Sequence, residues 1–265
     1  MRSGICVTAL SVAALVAGCS AMQSDSTATA GGATAGSSDT VAADLTVFAA
    51  ASLTSTFTEL GELFENAYPG TTVTFNFAGS SDLVAQLSQG APADVFASAD
   101  TANMIKAVDA DLVAGDPVDF AANTLTIVTP PENPRGIATF ADLAVPGTQL
   151  VVCAPQVPCG SATERIEEAT GVTLSPVSEE SAVTDVLGKI TSGQADAGLV
   201  YVTDAAAAGA KVRSIPFPES AEAVNTYPIA TLDGSTNPTA AQQFVALVTG
   251  PQGHEVLSAA GFAIP

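Results

Sequence analysis

The feature that most constrains the fold is a regular alternation of short, β-rich apolar runs with segments of helical periodicity. Three such runs come first: "LTVFAA" at 45–50, "TTVTFNFA" at 71–78 and "ADVFASA" at 93–99. After the first run, Leu53, Phe57 and Leu60 recur at the spacing of one helix face. Strands and helices that alternate at this spacing are typical of α/β proteins and predict a parallel, doubly wound sheet.

A second series of runs predicts a second α/β lobe. Its elements are strands at 123–130, 149–155 and 197–203 and helices near 161–169 and 182–192. One more extended run at 224–232 follows, and then two helical segments at 238–248 and 252–259 that are expected to complete the first half. The runs near Asn123 and Tyr227 are candidate crossings between the halves. The predicted lobes are therefore residues 44–123 with 228–265, and residues 124–227. The ligand site is expected in the cleft, since open α/β sheets bind ligands at the carboxyl ends of their strands.

The charge balance narrows the range of partners. The 265-residue chain holds 27 Asp and Glu against 7 Lys and Arg, which gives a formal net charge of −20. A surface this acidic repels nucleic acid, so no nucleic-acid partner is expected. A small anion would also have to be held against this field, which favours an enclosed site over a basic surface patch.

The N-terminus, residues 1–18, is interpreted as an export signal. Its apolar core at 5–16 is shorter than the roughly 20 residues of a membrane-spanning helix. The ending "VAGC" resembles a bacterial lipobox, which implies a lipid on the Cys19 thiol; an ordinary signal peptide with a stray cysteine is the alternative. Residues 19–43, rich in Ser, Thr, Ala and Gly, predict a flexible tether. We therefore expect the protein in the cell envelope, lipid-anchored at the outer face of the cytoplasmic membrane.

Cys153 and Cys159, in "VVCAPQVPCG", are close enough in sequence for either a disulfide or a metal site. Outside the cytosol a disulfide is the favoured interpretation. A metal site would need further ligands, and the single histidine, His254, lies far along the chain. We therefore expect a disulfide that fixes the geometry of a short loop, and neither a metal cation nor a cofactor.

Two serines stand where a predicted strand meets a predicted helix: Ser52 in "VFAAASLT" and Ser80 in "NFAGSSDL". One explanation is helix capping, in which the hydroxyl accepts a hydrogen bond from the helix backbone. The other is an anion site, in which free N–H groups, the positive helix end and the hydroxyl bind a ligand together. Two such turns in one half favour the anion site. A third candidate turn is "PCGSATE", where Ser161 and Glu164 are expected to form a capping box.

Four segments together resemble a known family, the periplasmic molybdate-binding proteins of ABC importers. They are "VFAAASLTSTF", "FAGSSDLVAQLSQGAPADVFASAD", "AGLVYVTDA" and "GPQGHEVLSAAGF", and the resemblance covers about residues 44–265. It implies a type II periplasmic-binding fold, with two lobes joined by a two-segment hinge, that closes on molybdate or tungstate without a metal cation or a cationic side chain. The implied partners are a separate permease and its ATPase, and the receptor is expected to be a monomer.

The resemblance also implies which residues contact the oxyanion. Ser52 and Ser80 match positions that offer a hydroxyl and an N–H, and Ser81 is a neighbour that could substitute. Backbone N–H groups are implied at Cys159 and Val183, and a phenol donor at Tyr201. Taken alone, Tyr201 would more often be a core aromatic that caps a strand end, and Val183 would be plain helix packing.

Two positions depart from the family pattern. Cys159 replaces a small residue, and a disulfide to Cys153 would pre-set the anion loop while leaving the N–H in place. Asp82 follows the two serines, where an anion site does not favour a charge, so its carboxylate is expected to point to solvent. A fully ionised oxyanion needs only donors, whereas a hydrogen phosphate also needs an acceptor.

Other functions remain as alternatives. Sulfate, phosphate or an organic anion are possible ligands, because the size of the cleft cannot be deduced from the sequence. A serine hydrolase is the rival from another class, with Ser52 as nucleophile and His254 as base. However, "AAAS" is not a G-x-S-x-G elbow. We therefore expect a binding protein and not an enzyme, with no catalytic residue.

Overall fold

Residues 43–265, described here by a computed structural model, form two β-sheets flanked by helices. The first elements in chain order are β1 (Asp44–Ala50), a 3₁₀ turn (Ala51–Leu53), α1 (Thr54–Ala67), β2 (Thr72–Ala78), α2 (Ser80–Ser88), β3 (Val95–Ala97), α3 (Thr101–Asp109) and β4 (Val113–Asn123). The signal peptide, Cys19 and all but the last residue of the tether lie outside the described residues.

The remaining elements include a second strand series and the C-terminal helices. They are β5 (Leu125–Thr129), β6 (Leu150–Cys153), α4 (Pro158–Thr170), β7 (Ser178–Glu180), α5 (Val183–Thr191), β8 (Ala197–Tyr201), α6 (Val202–Ala208), β9 (Arg213–Ile215), β10 (Asn225–Leu232), α7 (Pro238–Val248) and α8 (Pro251–Ala259). Within residues 43–265, no helix is both long enough and apolar enough to cross a membrane.

Each sheet has five strands, and the chain passes between the sheets twice. The first sheet has the order β2-β1-β3-β10-β4 and the second the order β7-β6-β8-β5-β9. We call the first sheet with α1, α2, α3, α7 and α8 the first lobe, and the second sheet with α4, α5 and α6 the second lobe. The chain leaves the first lobe between β4 and β5 and returns between β9 and β10.

The prediction of an all-parallel sheet is correct for part of each sheet only. β1 pairs in parallel with β2 and β3, and β6 with β7 and β8. In contrast, β10 is antiparallel to β3 and β4, and β5 is antiparallel to β8 and β9. A strand that enters from the other lobe starts at the cleft edge, where the parallel strands end. It therefore runs away from the cleft and against them.

The predicted helix face of α1 forms the centre of the first lobe. Phe57, Leu60 and Phe64 are buried, and Phe57 lies edge-on to Phe244 of α7 with ring centroids 6.0 Å apart. The C-terminal helices thus complete the first lobe, because α7 packs on the same core as α1.

Helix α4 starts earlier than predicted, and the expected capping box at Ser161 is wrong. The helix begins at Pro158, which suits a first helical position because proline lacks an N–H. Ser161 therefore lies inside the helix, where its Oγ accepts a hydrogen bond from Arg165 at 3.1 Å. Gly160 permits the early start, since a Cβ there would lie 1.9 Å from the carbonyl oxygen of Ala154.

Candidate functional site

A small cavity lies between the lobes, at the carboxyl ends of strands from both sheets. All five residues that the sequence assigns to the oxyanion line it: Ser52, Ser80, Cys159, Val183 and Tyr201. The cavity is small, with a volume of about 10 Å³, so any ligand that it holds must be compact. The structure thus brings the five positions together, and their role in binding stays a prediction.

The helical segments that begin at this cavity have no side-chain cap. Their N-cap residues are Ala50, Gly79, Val157 and Ala182, and none of them caps through its side chain. By comparison, α3 begins at the same edge of the first sheet and is capped by Asp100, whose carboxylate accepts from Asn103. In α2 and α5 the amides of Asp82 and Asp185 bond back to the N-cap carbonyl. The amides of the two residues before each of them have no partner within their own helix, so at the cavity they are available to an anion.

Ser80 does not cap α2, although capping was one explanation of its position. It is the first residue of the helix, it is 1% exposed, and its Oγ accepts a hydrogen bond from the backbone N–H of Ala99 at 3.0 Å. Because that bond fills an acceptor position, the hydroxyl hydrogen of Ser80 is free for the cavity.

Ser52 does not act as a cap either. Its Oγ lies 3.0 Å from the phenol oxygen of Tyr227, and either group can donate. Ser81 is not among the described residues that line the cavity, but its Oγ is buried and has no hydrogen-bond partner among residues 43–265. Ser81 follows the lining residue Ser80, and a buried hydroxyl without a partner calls for an explanation. Ser81 therefore remains an additional candidate for contact with the oxyanion.

Tyr201 is a buried aromatic that also presents a polar group to the cavity. Its side chain is 1% exposed, and its oxygen accepts a hydrogen bond from Nδ2 of Asn225 at 2.7 Å. Burial raises the pKa of the phenol well above its usual value of 10.0, and the neighbouring Tyr227, Asp100 and Asp204 add to the effect. The phenol therefore stays protonated and can only act as a neutral group. Asn225 and Tyr227 were not predicted as site residues.

Charged groups are kept back from the cavity. None of the described lining residues has a charged side chain, and Asp82, half-buried in the first turn of α2, is not among them. Asp204 is a buried carboxyl behind Tyr201: it is 7% exposed and accepts from the Tyr201 amide at 3.1 Å. Burial raises the pKa of Asp204 from 3.8 to about 7, against the opposing effect of that amide.

A disulfide joins Cys153 at the end of β6 to Cys159 in the first turn of α4. It holds the strand and the helix start on one side of the cavity. No group of three or more His, Cys, Asp or Glu side chains within the described part of the chain is placed to hold a metal ion.

Removal of the disulfide is expected to lower the stability of the fold moderately. For a double variant with Cys153→Ala and Cys159→Ala, loss of this short ring should cost about 2 kcal/mol on loop entropy. The melting temperature should then fall by roughly 4 to 8 °C in thermal unfolding followed by circular dichroism. The unchanged protein with a reductant is the matched comparison. Equal melting temperatures for the double variant, the unchanged protein with reductant and the unchanged protein without it would contradict a stabilising disulfide.

Comparisons with known proteins agree with the two-lobed α/β fold. Residues 45–263 match the family model described as bacterial extracellular solute-binding protein. The molybdate-binding protein ModA of Mycobacterium tuberculosis is 54% identical over 259 residues, which cover 97% of each chain. This likeness confirms the resemblance that the sequence motifs indicate.

Two solved structures have a similar fold at lower identity. The periplasmic molybdate-binding protein of Azotobacter vinelandii superposes with a TM-score of 0.72 at 23% identity, covering 83% of this chain and 99% of that one. The sulfate-binding protein SubI of Mycobacterium tuberculosis gives a TM-score of 0.68 at 22% identity, covering 83% and 86%. Both likenesses concern the fold alone.

Proposed function

Because the chain belongs to the family of bacterial extracellular solute-binding proteins and has the type II periplasmic-binding fold, we propose that it captures molybdate, and also tungstate, for an ABC importer. One observation carries the proposal: uncapped helix starts from both lobes and three hydroxyl groups surround one small cavity without a charged side chain. The high identity to molybdate-binding relatives supports the choice of ligand.

The hydrogen-bond directions favour an anion without a proton. Ser80 and Tyr201 each accept a hydrogen bond from behind, which leaves the hydrogen of each hydroxyl for another acceptor: the ligand in the cavity or, for Tyr201, also the phenol oxygen of Tyr227. When Tyr227 donates to Ser52, the hydrogen of Ser52 is free in the same way. Molybdate, tungstate and sulfate offer only acceptors, whereas hydrogen phosphate would leave its proton unpaired among donors.

Neutral groups can supply the required affinity. A hydrogen bond to a charged group contributes about 1.5 to 3 kcal/mol, so six or seven would contribute roughly 10 to 20 kcal/mol before ordering costs. Nanomolar binding needs about 12 kcal/mol. No lysine or arginine has to reach the anion, which suits a chain with a formal net charge of −20.

The size of the cavity argues against an organic anion as the ligand. An organic anion would not fit without opening the lobes, because the cavity admits one compact ligand. Sulfate meets the same hydrogen-bond requirement, and the fold it shares with a sulfate-binding protein keeps it as the second candidate. A hydrolase is not supported, since Ser52 contacts Tyr227 and His254 is not among the described lining residues.

Capture is proposed to occur by closure of residues 44–123 with 228–265 against residues 124–227. The closed receptor would then deliver its anion to a membrane permease driven by an ATPase.

We propose that the receptor is a monomer, tethered by residues 19–43 and a lipid on Cys19 at the outer face of the cytoplasmic membrane. To test the anchor, cells that express the full-length protein can be grown with a radioactive fatty acid. The protein should become labelled, and the Cys19→Ala variant should not.

Thermal unfolding with added anions tests the proposed ligand. With micromolar molybdate or tungstate, the melting temperature should rise by roughly 5 to 10 °C, since ligand at a hundred times its dissociation constant adds about 2.7 kcal/mol. Millimolar sulfate or phosphate should shift it hardly at all, and sodium chloride at equal ionic strength is the control. Equal shifts for all four anions would refute the specificity, and no shift with any would refute the proposed function.

A further inference from the structure

Asn225, the first residue of β10, connects both lobes behind the cavity. It is 2% exposed, and its Nδ2 lies 2.9 Å from the carbonyl oxygen of Ala99, 3.2 Å from that of Pro158 and 2.7 Å from the phenol oxygen of Tyr201. Its Oδ1 accepts a hydrogen bond from Nη2 of Arg165 at 2.6 Å. A single buried amide is thus in contact with each wall of the cleft.

These contacts fix the orientation of the amide. If the Asn225 group were rotated by half a turn, its oxygen would face two carbonyl oxygens and its nitrogen would face the guanidinium of Arg165. Both arrangements are repulsive, because an NH₂ group has donors only and a carbonyl oxygen has none. The nitrogen therefore points at Tyr201, whose oxygen must accept.

Arg165 is bound to neutral groups. It is half-buried, and among residues 43–265 its side-chain partners are Ser161 and Asn225, with no carboxylate at ion-pair distance. Hydrogen bonds that start from a cation are stronger than neutral ones. The guanidinium therefore both holds the amide of Asn225 and polarises it towards Tyr201.

We propose that Asn225 is a positioning residue that directs the hydroxyl hydrogen of Tyr201 into the cavity, and that Arg165 locks Asn225 in the required orientation. This inference rests on the proposed function, since the ligand that would receive the hydrogen is an oxyanion. It assigns a role to the cation of Arg165, whose hydrogen bonds lead to the cavity wall although its side chain does not line the cavity.

A double-mutant cycle with molybdate tests the inference by isothermal titration calorimetry. Tyr201→Phe and Asn225→Ala should each weaken binding about 10- to 100-fold, because the first removes a donor to a charged ligand and the second leaves that donor without the bond that orients it. In the Tyr201→Phe background, Asn225→Ala should add less than about threefold if it acts through Tyr201. Arg165→Gln should weaken binding several-fold, and Arg213→Gln, which removes an exposed positive charge elsewhere, should leave the affinity unchanged.

The outcomes separate this inference from the proposed function. If the unchanged protein does not bind molybdate, the proposed function fails and this inference fails with it. If the unchanged protein binds and the losses from Tyr201→Phe and Asn225→Ala multiply, Asn225 acts only on lobe packing and the positioning role is refuted. Asn225→Asp keeps the shape but offers Tyr201 an acceptor, so it should bind no better than Tyr201→Phe. Wild-type affinity in Asn225→Asp would also refute the inference.

Discussion

Gly79→Ala is expected to weaken molybdate binding by at least about 100-fold while the protein still folds. Gly79 precedes α2 in the first lobe, and a Cβ built there lies 2.0 Å from the carbonyl oxygen of Ser181 in the second lobe. The backbone itself accepts alanine, since φ is −60° and ψ is 139°. The clash arises only between the lobes, which would have to separate by about 1 Å and so lengthen the hydrogen bonds to the ligand.

Calorimetric titration with molybdate measures this effect, and Gly188→Ala is the matched control. A Cβ at Gly188 meets no atom within 4 Å, so that variant should bind as the unchanged protein does. Small-angle scattering should show contraction on molybdate addition in the unchanged protein and none in Gly79→Ala. A Gly79→Ala protein that binds and contracts normally would show that the lobes do not approach at this point.

Asp204→Asn is expected to stabilise the protein by about 4 kcal/mol at pH 8 and to have little effect near pH 4. The folded protein raises the pKa of Asp204 from 3.8 to about 7 because the carboxyl is buried. Protonated Asp204 therefore contributes its full stability below pH 3.8, and this contribution is lost as the pH rises through 7. The asparagine keeps an oxygen that can accept from the Tyr201 amide and never becomes charged.

The difference in melting temperature between the two proteins, measured from pH 4 to pH 8, tests this prediction. It should grow to roughly 10 °C at the upper end. The pKa is lowered for three other carboxyls, whose contribution to stability is lost as the pH falls: Asp142, Glu180 and Asp196. These carboxyls are present in both proteins, so their contribution cancels in the difference in melting temperature. A difference that stays constant with pH would show that Asp204 does not titrate in this range.

The alternation of strands and helices was enough to predict the two-lobed α/β fold, and it failed where local signals are weak. β4 was missed because "VAGDPVDFAAN" contains Gly, Pro and Asp, which disfavour strands. Its strand conformation depends on pairing with β10, about a hundred residues later. β7 and β9 have three residues each and lie in no apolar run, whereas the equally short β3 is part of the apolar run "ADVFASA".

The cavity residues were predicted from motifs, whereas the groups behind them were not. Ser52 and Ser80 lie in recognisable strand-to-helix turns. Asn225 has no local signal, because its partners Arg165 and Ala99 lie 60 and 126 residues away. Asp204 reads in sequence as an ordinary acidic residue in the first turn of a helix, and its burial depends on tertiary packing.

The absence of side-chain caps at the cavity has a consequence for how closure of the lobes depends on a bound ligand. A buried amide without a partner costs about 1 to 3 kcal/mol. A shut receptor with nothing inside would bury several such amides at once, while an open one exposes them to water. If the anion binds at these helix starts as proposed, it supplies the partners that the amides lack, and closure of the lobes then depends on a bound ligand. A transporter that recognises only the closed form would not be activated by an empty receptor.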